Sequence, residues 1–563
     1  MWPATFARVS AVVAGVPVAF ATTTEYAALP PSAATSHGRP FTDGCDRVSR
    51  LTPGDDASSG GAAAYSAAVS HQRVVIVGAG FSGIAMAARL SQTGIEDFLI
   101  LEKATDVGGT WRDNRYPGCA CDVPSRLYSL SFAPKVDWSR DYAPAGEIWD
   151  YLRECIDRFG LRSRLVLGAD VIDATWVDGR WQVLAADGRE WTADALVLGV
   201  GGLHVPKRPD LPGLGSFAGE VLHTADWPAD DHLDGRRVAV VGTGASAVQL
   251  IPAIAGRVSD LVVFQRTPSW ILQRNDRIWS HARAQTYSRM PFIERVQRWR
   301  TYLRLESRVL GFGRLDRARR LVESQAVERL EMQVPDPATR DALRPRYALG
   351  CKRVLLSDDY WPTFARLNVH LVTSPIERVE PTGVVTEDGE HHDVDTIVFA
   401  TGFDLRGSFD RMHITGQSGR TLSGEWEANR NTHLGIEVAG FPELYLLLGP
   451  NTALGHNSVL IMIEAAVEHI LLALHRADRQ GPHVVTRAAQ VRFGRWVRQR
   501  TRHTVWGSGC QSWYLDERGR NVAIWPASTM RYKLVTRRLR ERDYQAVPGR
   551  SAPGATGAGQ TSD

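Results

Sequence analysis

The sequence predicts an α/β protein: two doubly wound, mostly parallel sheets with a helical insertion in the second. Three observations carry this. The β-branched run Val74-Val75-Ile76-Val77 leads straight into Gly78-Ala79-Gly80-Phe81-Ser82-Gly83. The same pattern returns at Val238-Ala239-Val240-Val241 and Gly242-Thr243-Gly244-Ala245-Ser246-Ala247. Beyond the second copy, residues 275–346 read as helical and Arg-rich before apolar strands resume. A strand, a glycine turn and a helix in that order make the Rossmann-like unit that binds a dinucleotide.

In the first copy, the apolar run suits a parallel strand buried on both faces. Gly78 permits the tight turn, Gly80 lets the backbone approach a pyrophosphate, and Gly83 lets helix and strand pack closely. Residues 84–90 read as a helix, whose N-terminus, beginning near Phe81 and Ser82, faces the phosphates. The next strand, Phe98-Leu99-Ile100-Leu101, ends in Glu102, about 20 residues on, where an acid bonds a ribose hydroxyl.

Ahead of this unit, residues 1–70 are rich in Ala, Ser, Thr, Gly and Pro and show little periodicity. Residues 9–21 are apolar but too short to span a bilayer. They read as a weak export signal, a disordered extension or a start codon assigned too early. The tail, residues 547–563, has the same composition and is expected to be disordered. A net charge of +4 over 563 residues gives no argument for nucleic acid, and no stable membrane insertion is expected. The six cysteines show no metal spacing and no redox Cys-x-x-Cys. No metal is expected, and reduced thiols in the cytoplasm are the default.

After Glu102, Gly108-Gly109-Thr110-Trp111, Arg115-Tyr116-Pro117-Gly118 and Asp122 read as an irregular loop over the strand ends, where an open α/β sheet binds its ligand. Residues 145–159 read as a helix, and residues 164–200 as hairpins turning at Asp187-Gly188. Residues 205–214 are a Pro-rich crossing that marks a boundary. The strand after the second glycine motif, Leu261-Val262-Val263-Phe264, ends in Gln265-Arg266 instead of an acid. An Arg there suits a 2′-phosphate, so this nucleotide is NADP. The glutamates among the insert's arginines point to a solvated helix face. The expected domains are therefore residues 71–210 and 380–546 for the first unit and 211–379 for the second.

Two such sites suggest a resident cofactor and a visiting one. The acid-bearing site suits the ADP half of FAD, and the Arg-bearing site suits NADPH, with hydride passing from nicotinamide to flavin. The Cys119-Ala120-Cys121 pair is a poor disulfide acceptor, which leaves dioxygen or a quinone.

At this point the motifs resemble a family. Gly108-Gly109-x-Trp111-x4-Tyr116-Pro117-Gly118-x3-Asp122 looks like one fingerprint of type I Baeyer–Villiger monooxygenases. Phe217-x-Gly219-x3-His223-x3-Trp227-Pro228 matches their other fingerprint, and Ala400-Thr401-Gly402-Phe403 is shared with flavin-containing monooxygenases more widely. The resemblance implies FAD, NADPH and dioxygen. It also implies a C4a-peroxyflavin that inserts one oxygen beside a ketone carbonyl to give an ester or lactone, with sulfides as a second substrate class.

Residue by residue, the resemblance makes Arg353 the catalytic cation, with Asp122 holding it. It makes Gly109, Thr110, Trp111, Asp122 and Tyr128 flavin contacts. Thr243, Ser246, Gln249, Arg266, Thr267, Lys352 and Trp513 become NADP contacts. Phe217, Gly219, His223 and Trp227 become conformational. The alternatives are an N- or S-oxygenating flavin monooxygenase and an NADPH:acceptor oxidoreductase.

Overall fold

The computed structural model describes residues 69–313, 316–404, 407–428, 430–510 and 512–547. The leader up to residue 68, Cys45 and the tail from residue 548 lie outside the described residues, and so do the expectations made for them.

Strand β1 (Ser70–Val77) starts earlier than its apolar run, because Ser70, His71 and Gln72 pair with the far strand Trp191–Ala193. Alternation then splits its side chains. Val74 and Ile76 enter one core with the helices Phe81–Gln92 and Leu460–Gln480, while Val75 and Val77 enter another with Trp181 and Phe441. A strand buried on both faces is the reason four consecutive β-branched residues are tolerated here. β1 pairs in parallel with β2 (Phe98–Glu102), and β2 with β3 (Leu165–Leu167). On its other side β1 pairs in parallel with β6 (Glu190–Leu198). Strands β4 (Val171–Val177), β5 (Arg180–Ala185) and β6 form the antiparallel part. The expected hairpins are therefore confined to β4–β6, and β3 belongs to the parallel half.

The second sheet has five parallel strands in the order Val369–Val372, β9 (Asp260–Phe264), β8 (Arg237–Val241), Thr396–Phe399 and β7 (Glu220–His223). This corrects one boundary. The sequence returns the chain to the first unit at residue 380, but Thr396–Phe399 lies between β8 and β7. A four-residue apolar run buried on both faces reads the same in either sheet. Only the register, Thr396 opposite Val238 and Glu220, assigns it.

The insert folds as helices His281–Arg289, Pro291–Ser307 and Asp316–Gln333. Part of its basic face is solvated, as expected from charge interleaving. The rest is not. Glu294 forms a buried ion pair with Arg126 at 2.9 Å, and Arg298 donates to the Ser129 carbonyl at 2.8 Å. These contacts fix the insert to the loop that follows Asp122. Among the described residues, no helix is long and apolar enough to cross a membrane.

Candidate active site

The first glycine turn is built so tightly that only glycine fits. Gly78 has φ +99°, and a Cβ on it would come within 2.9 Å of the Gly199 carbonyl oxygen. A Cβ on Gly83 would lie 1.8 Å from the Gly78 oxygen. At Gly80 the nearest atom is 3.9 Å away, so backbone is bared towards open space. The helix Phe81–Gln92 begins there without a side-chain cap and without an acidic residue in its first turn. Its positive dipole end is thus left for an anion. Glu102 is 4% exposed and accepts from the Ala79 amide (2.8 Å), the Ala104 amide (3.0 Å) and Arg112 (3.0 Å). A carboxylate has about four acceptor sites, so one stays available for a ribose hydroxyl. These residues fit the ADP half of FAD. Arg112, which orients Glu102, carries no signal in the sequence.

The loop after Glu102 is not wholly irregular: Gly109 (φ +52°) starts a helical turn, Thr110–Asp113. The glycines that suggested irregular backbone instead permit its sharp entry. Thr110 donates to the Leu203 carbonyl at 3.4 Å. Trp111 donates to the Tyr128 hydroxyl at 3.2 Å, and Tyr128 meets both Trp111 and Phe81 edge-on. The three rings make one wall beside the cradle.

In the second cradle, Gly242 has φ +115° and a Cβ there would meet the Ala400 oxygen at 2.7 Å. Gly244, which caps the helix Ala245–Ile254, has nothing within 4 Å. Ala247 takes the third position, fully buried. Thr243 donates to the Thr267 carbonyl at 3.0 Å. Lys352 and Thr267 line a cavity of about 370 Å³ together with Tyr347, Cys351, Ser508 and Cys510. Burial, helped by the positive charge of Arg266, holds the Lys352 ammonium below its ordinary value. Two cations are close here, and among the described residues neither has a carboxylate partner. Such a pair fits a phosphate. Gln249 also joins two elements of the site. Its amide accepts from Tyr116 (2.9 Å) and donates to the Ala120 carbonyl (2.9 Å), so it ties the second helix to the Asp122 loop.

Arg353 and Asp122 meet between the cradles. Arg353 Nε and Nη2 donate to the two Asp122 carboxylate oxygens, each at 2.7 Å. Nη1 reaches the Leu454 carbonyl at 3.4 Å. The Asp122 charge holds the guanidinium above its usual value. The side chains stay 34% and 25% exposed, so the pair is not sealed into a core. Tyr514 lies beside Arg353, and burial pushes its hydroxyl up to about 12. Its neighbour Trp513, which the family resemblance points to, is 49% exposed and its ring is tilted against Tyr514 with centroids 4.2 Å apart. Both are aromatic on one loop, and burial alone distinguishes them. Arg274 was also missed; it donates to the Cys121 and Tyr142 carbonyls at 3.3 and 3.4 Å and braces the Asp122 loop.

The linker motif lies along β7. A Cβ on Gly219 would meet the Asp395 oxygen at 2.3 Å and the Phe217 ring at 2.6 Å, so glycine lets Phe217 fold over the strand. His223 is fully buried and opposite Phe399. Its Nδ1 accepts from the Ala225 amide at 3.0 Å, and burial lowers its pKa below the ordinary value. Trp227 donates to Asp231 at 3.1 Å, and Asp231 pairs with Arg257. Nearby, the Lys207 amide bonds the Gly402 carbonyl at 2.9 Å, which clasps the two strands of chain that cross between the sheets.

One cysteine expectation is overturned. Cys351 and Cys510 are joined in a disulfide, while Cys119, Cys121 and Cys155 are free. Spacing in sequence could not show it, because the partners are 159 positions apart.

The family described as "Flavin-binding monooxygenase-like" matches residues 71–413. A protein of Pseudomonas aeruginosa named "Baeyer-Villiger monooxygenase" is 40% identical over 484 residues, covering 85% of this chain and 92% of that protein. The solved structure titled "Oxidized steroid monooxygenase bound to NADP" is 31% identical with a TM-score of 0.75, covering 83% of this chain and 97% of its own. A structure of OTEMO in complex with FAD and NADP is 28% identical with a TM-score of 0.75, covering 83% and 97%.

Proposed function

The chain belongs to the flavin-binding monooxygenase-like family, and on that premise we propose that it is a Baeyer–Villiger flavoprotein monooxygenase. It consumes NADPH and dioxygen and inserts one oxygen atom beside a ketone carbonyl, giving an ester or lactone. A reaction fed by NADPH belongs where that coenzyme is regenerated, which supports the cytoplasmic reading.

The observation that carries the reading is the Arg353–Asp122 pair between two nucleotide cradles. Bound FAD supplies hydride acceptance and the activation of dioxygen. The protein's part is position and charge. Gly78, Gly80 and Gly83 clear room for the pyrophosphate, and Glu102 holds the ribose. Arg266 and Lys352 hold the 2′-phosphate of NADPH.

Arg353 cannot lose its proton at working pH and has about five N–H groups. Two are taken by Asp122 and one by Leu454, so two remain for the reacting oxygens. A fixed cation there stabilises negative charge as it builds on the attacked carbonyl. Asp122 keeps the guanidinium from turning away, so the field is set before reaction begins. Phe217, Gly219, His223 and Trp227 sit where the chain crosses between sheets, which supports a part in their relative movement.

The test is NADPH oxidation by the purified, FAD-loaded protein against cyclic and linear ketones, with the products identified by mass. Ester or lactone formed in step with NADPH use supports the reading. NADPH use that yields only hydrogen peroxide supports an oxidase, and oxidation confined to amines or sulfides supports the electrophilic alternative.

A further inference from the structure

The cavity that holds Lys352 has a covalent latch across it. Cys351 and Cys510 have Cα atoms 5.6 Å apart and are bonded although 159 positions separate them. Cys351 directly precedes Lys352 and Arg353. Cys510 lies in the segment that walls the same cavity with Ser508 and Gly509. The bond therefore ties the loop bearing both cations to the loop bearing Tyr514.

The two ends of that wall are held differently. At one end, Trp506 donates to the Gly350 carbonyl at 3.0 Å and Phe312 stacks on its ring at 5.2 Å. Past Trp506 the chain turns through Gly509 at φ +89°, and the Gly507 and Ser508 amides bond only as far back as Thr504 and Val505. The disulfide is the covalent tie from Cys510 back to the Lys352 loop, beside the packing of Cys510 on Cys351 and its buried neighbours. Cys351 is 2% exposed, whereas Cys510 is half-buried at the cavity. An incoming thiolate thus reaches the Cys510 sulfur first. Among the described residues the free thiols make poor competitors, since burial pushes those of Cys119 and Cys155 up to about 11 and raises that of Cys121 as well.

We propose that the Cys351–Cys510 disulfide is a thiol-exchange site, open to a dithiol reductant, whose state sets how firmly the enzyme holds NADPH. This rests on the reading of the cavity as the coenzyme site. In the exchange, one thiolate of the dithiol bonds to the Cys510 sulfur, the Cys351–Cys510 bond breaks, and Cys351 leaves with the electron pair and takes a proton. The reductant's second thiol then displaces Cys510 and becomes part of its own disulfide. Two electrons and two protons have passed to the protein. Residues 508–510 then keep their anchor at Trp506 but lose the tie to Lys352. If the freed wall keeps the binding arrangement for about one fifth of the time, the apparent Kd rises about fivefold.

The experiment measures NADP⁺ binding to the FAD-loaded protein by fluorescence, before and after treatment with a dithiol, with thiols mapped by alkylation and mass. Reduction should expose Cys351 and Cys510 to alkylation, raise Kd about fivefold, and be reversed by reoxidation. Cys510→Ser should bind weakly with or without the dithiol, whereas Cys155→Ser should respond like the wild type. Cys351 and Cys510 already alkylatable in protein purified without reductant would overturn the proposal. So would an unchanged Kd on reduction, a reading on the wild type that stands even if Cys510→Ser does not fold. Failure to bind NADP⁺ in either state would instead bring down the coenzyme reading on which this one rests.

Discussion

Arg353 donates two hydrogen bonds of 2.7 Å to Asp122, across 231 positions of sequence. One carboxylate thereby fixes both the place and the plane of the guanidinium. Replacing Arg353 with Ala should leave flavin reduction by NADPH largely intact, because that hydride transfer does not need this charge. Ester formation should fall about 10²–10³-fold, the usual cost of one preorganised electrostatic contact. Asp122→Asn should give a smaller loss, since it keeps the shape but weakens the grip. Stopped-flow reduction and product yield, measured together, check this. Ester made by Arg353→Ala at the wild-type rate would move the catalytic cation elsewhere.

Arg266 lies close enough to Lys352 to lower its ammonium, and among the described residues neither has a carboxylate partner. Removing either charge should weaken NADPH by about 1.5–3 kcal/mol, the value of a charge-assisted contact, and leave NADH nearly unchanged. Equal losses for both coenzymes would show that neither residue reads the 2′-phosphate.

The lowered Lys352 ammonium gives a pH signature. In the free enzyme its proton leaves below the ordinary lysine value, and a bound phosphate favours the charged form. NADP⁺ binding should therefore take up a proton at alkaline pH below the ordinary lysine value, and affinity should fall as pH rises through the free-enzyme value. Calorimetry in two buffers of different ionisation enthalpy reads the uptake, which should vanish in Lys352→Met.

Gly219 has no room for a side chain, with backbone at 2.3 Å and the Phe217 ring at 2.6 Å from a Cβ. Gly219→Ala should lower stability by about 1–3 kcal/mol, as overpacking does. Thermal unfolding followed by circular dichroism gives the number. In the double variant Phe217→Leu with Gly219→Ala, the ring clash is relieved and part of the loss should return.

Tyr514, buried beside Arg353, and Trp513, exposed, should separate by substitution. Tyr514→Phe removes a polar neighbour of the guanidinium and should slow ester formation by about fivefold, the equivalent of a net hydrogen bond of about 1 kcal/mol. Trp513→Ala should change stability by no more than about 0.5 kcal/mol and leave that rate alone. The reverse ranking would make Trp513, not Tyr514, the residue that acts on this step.

What the sequence determined by itself is everything carried by local order along the chain. Strand, glycine turn, helix, strand and closing charge occur within about 30 residues, so the units ending at Glu102 and at Arg266 are legible without any distant contact. The adjacent Lys352-Arg353 and the spacing from Phe217 to Trp227 are legible for the same reason, through resemblance to a family.

Tertiary structure alone decided what depends on residues far apart in the chain. The sheet that takes Thr396–Phe399 was fixed by register against Val238 and Glu220. The bond from Gln249 to the Asp122 loop, the burial of Tyr514 beside an exposed Trp513, and the joining of Cys351 to Cys510 each depend on which surfaces meet. A local pattern records the preferences of neighbouring backbone and side chains. The pairing of distant segments is set by burial and hydrogen bonding over the whole core, which no short stretch of sequence contains.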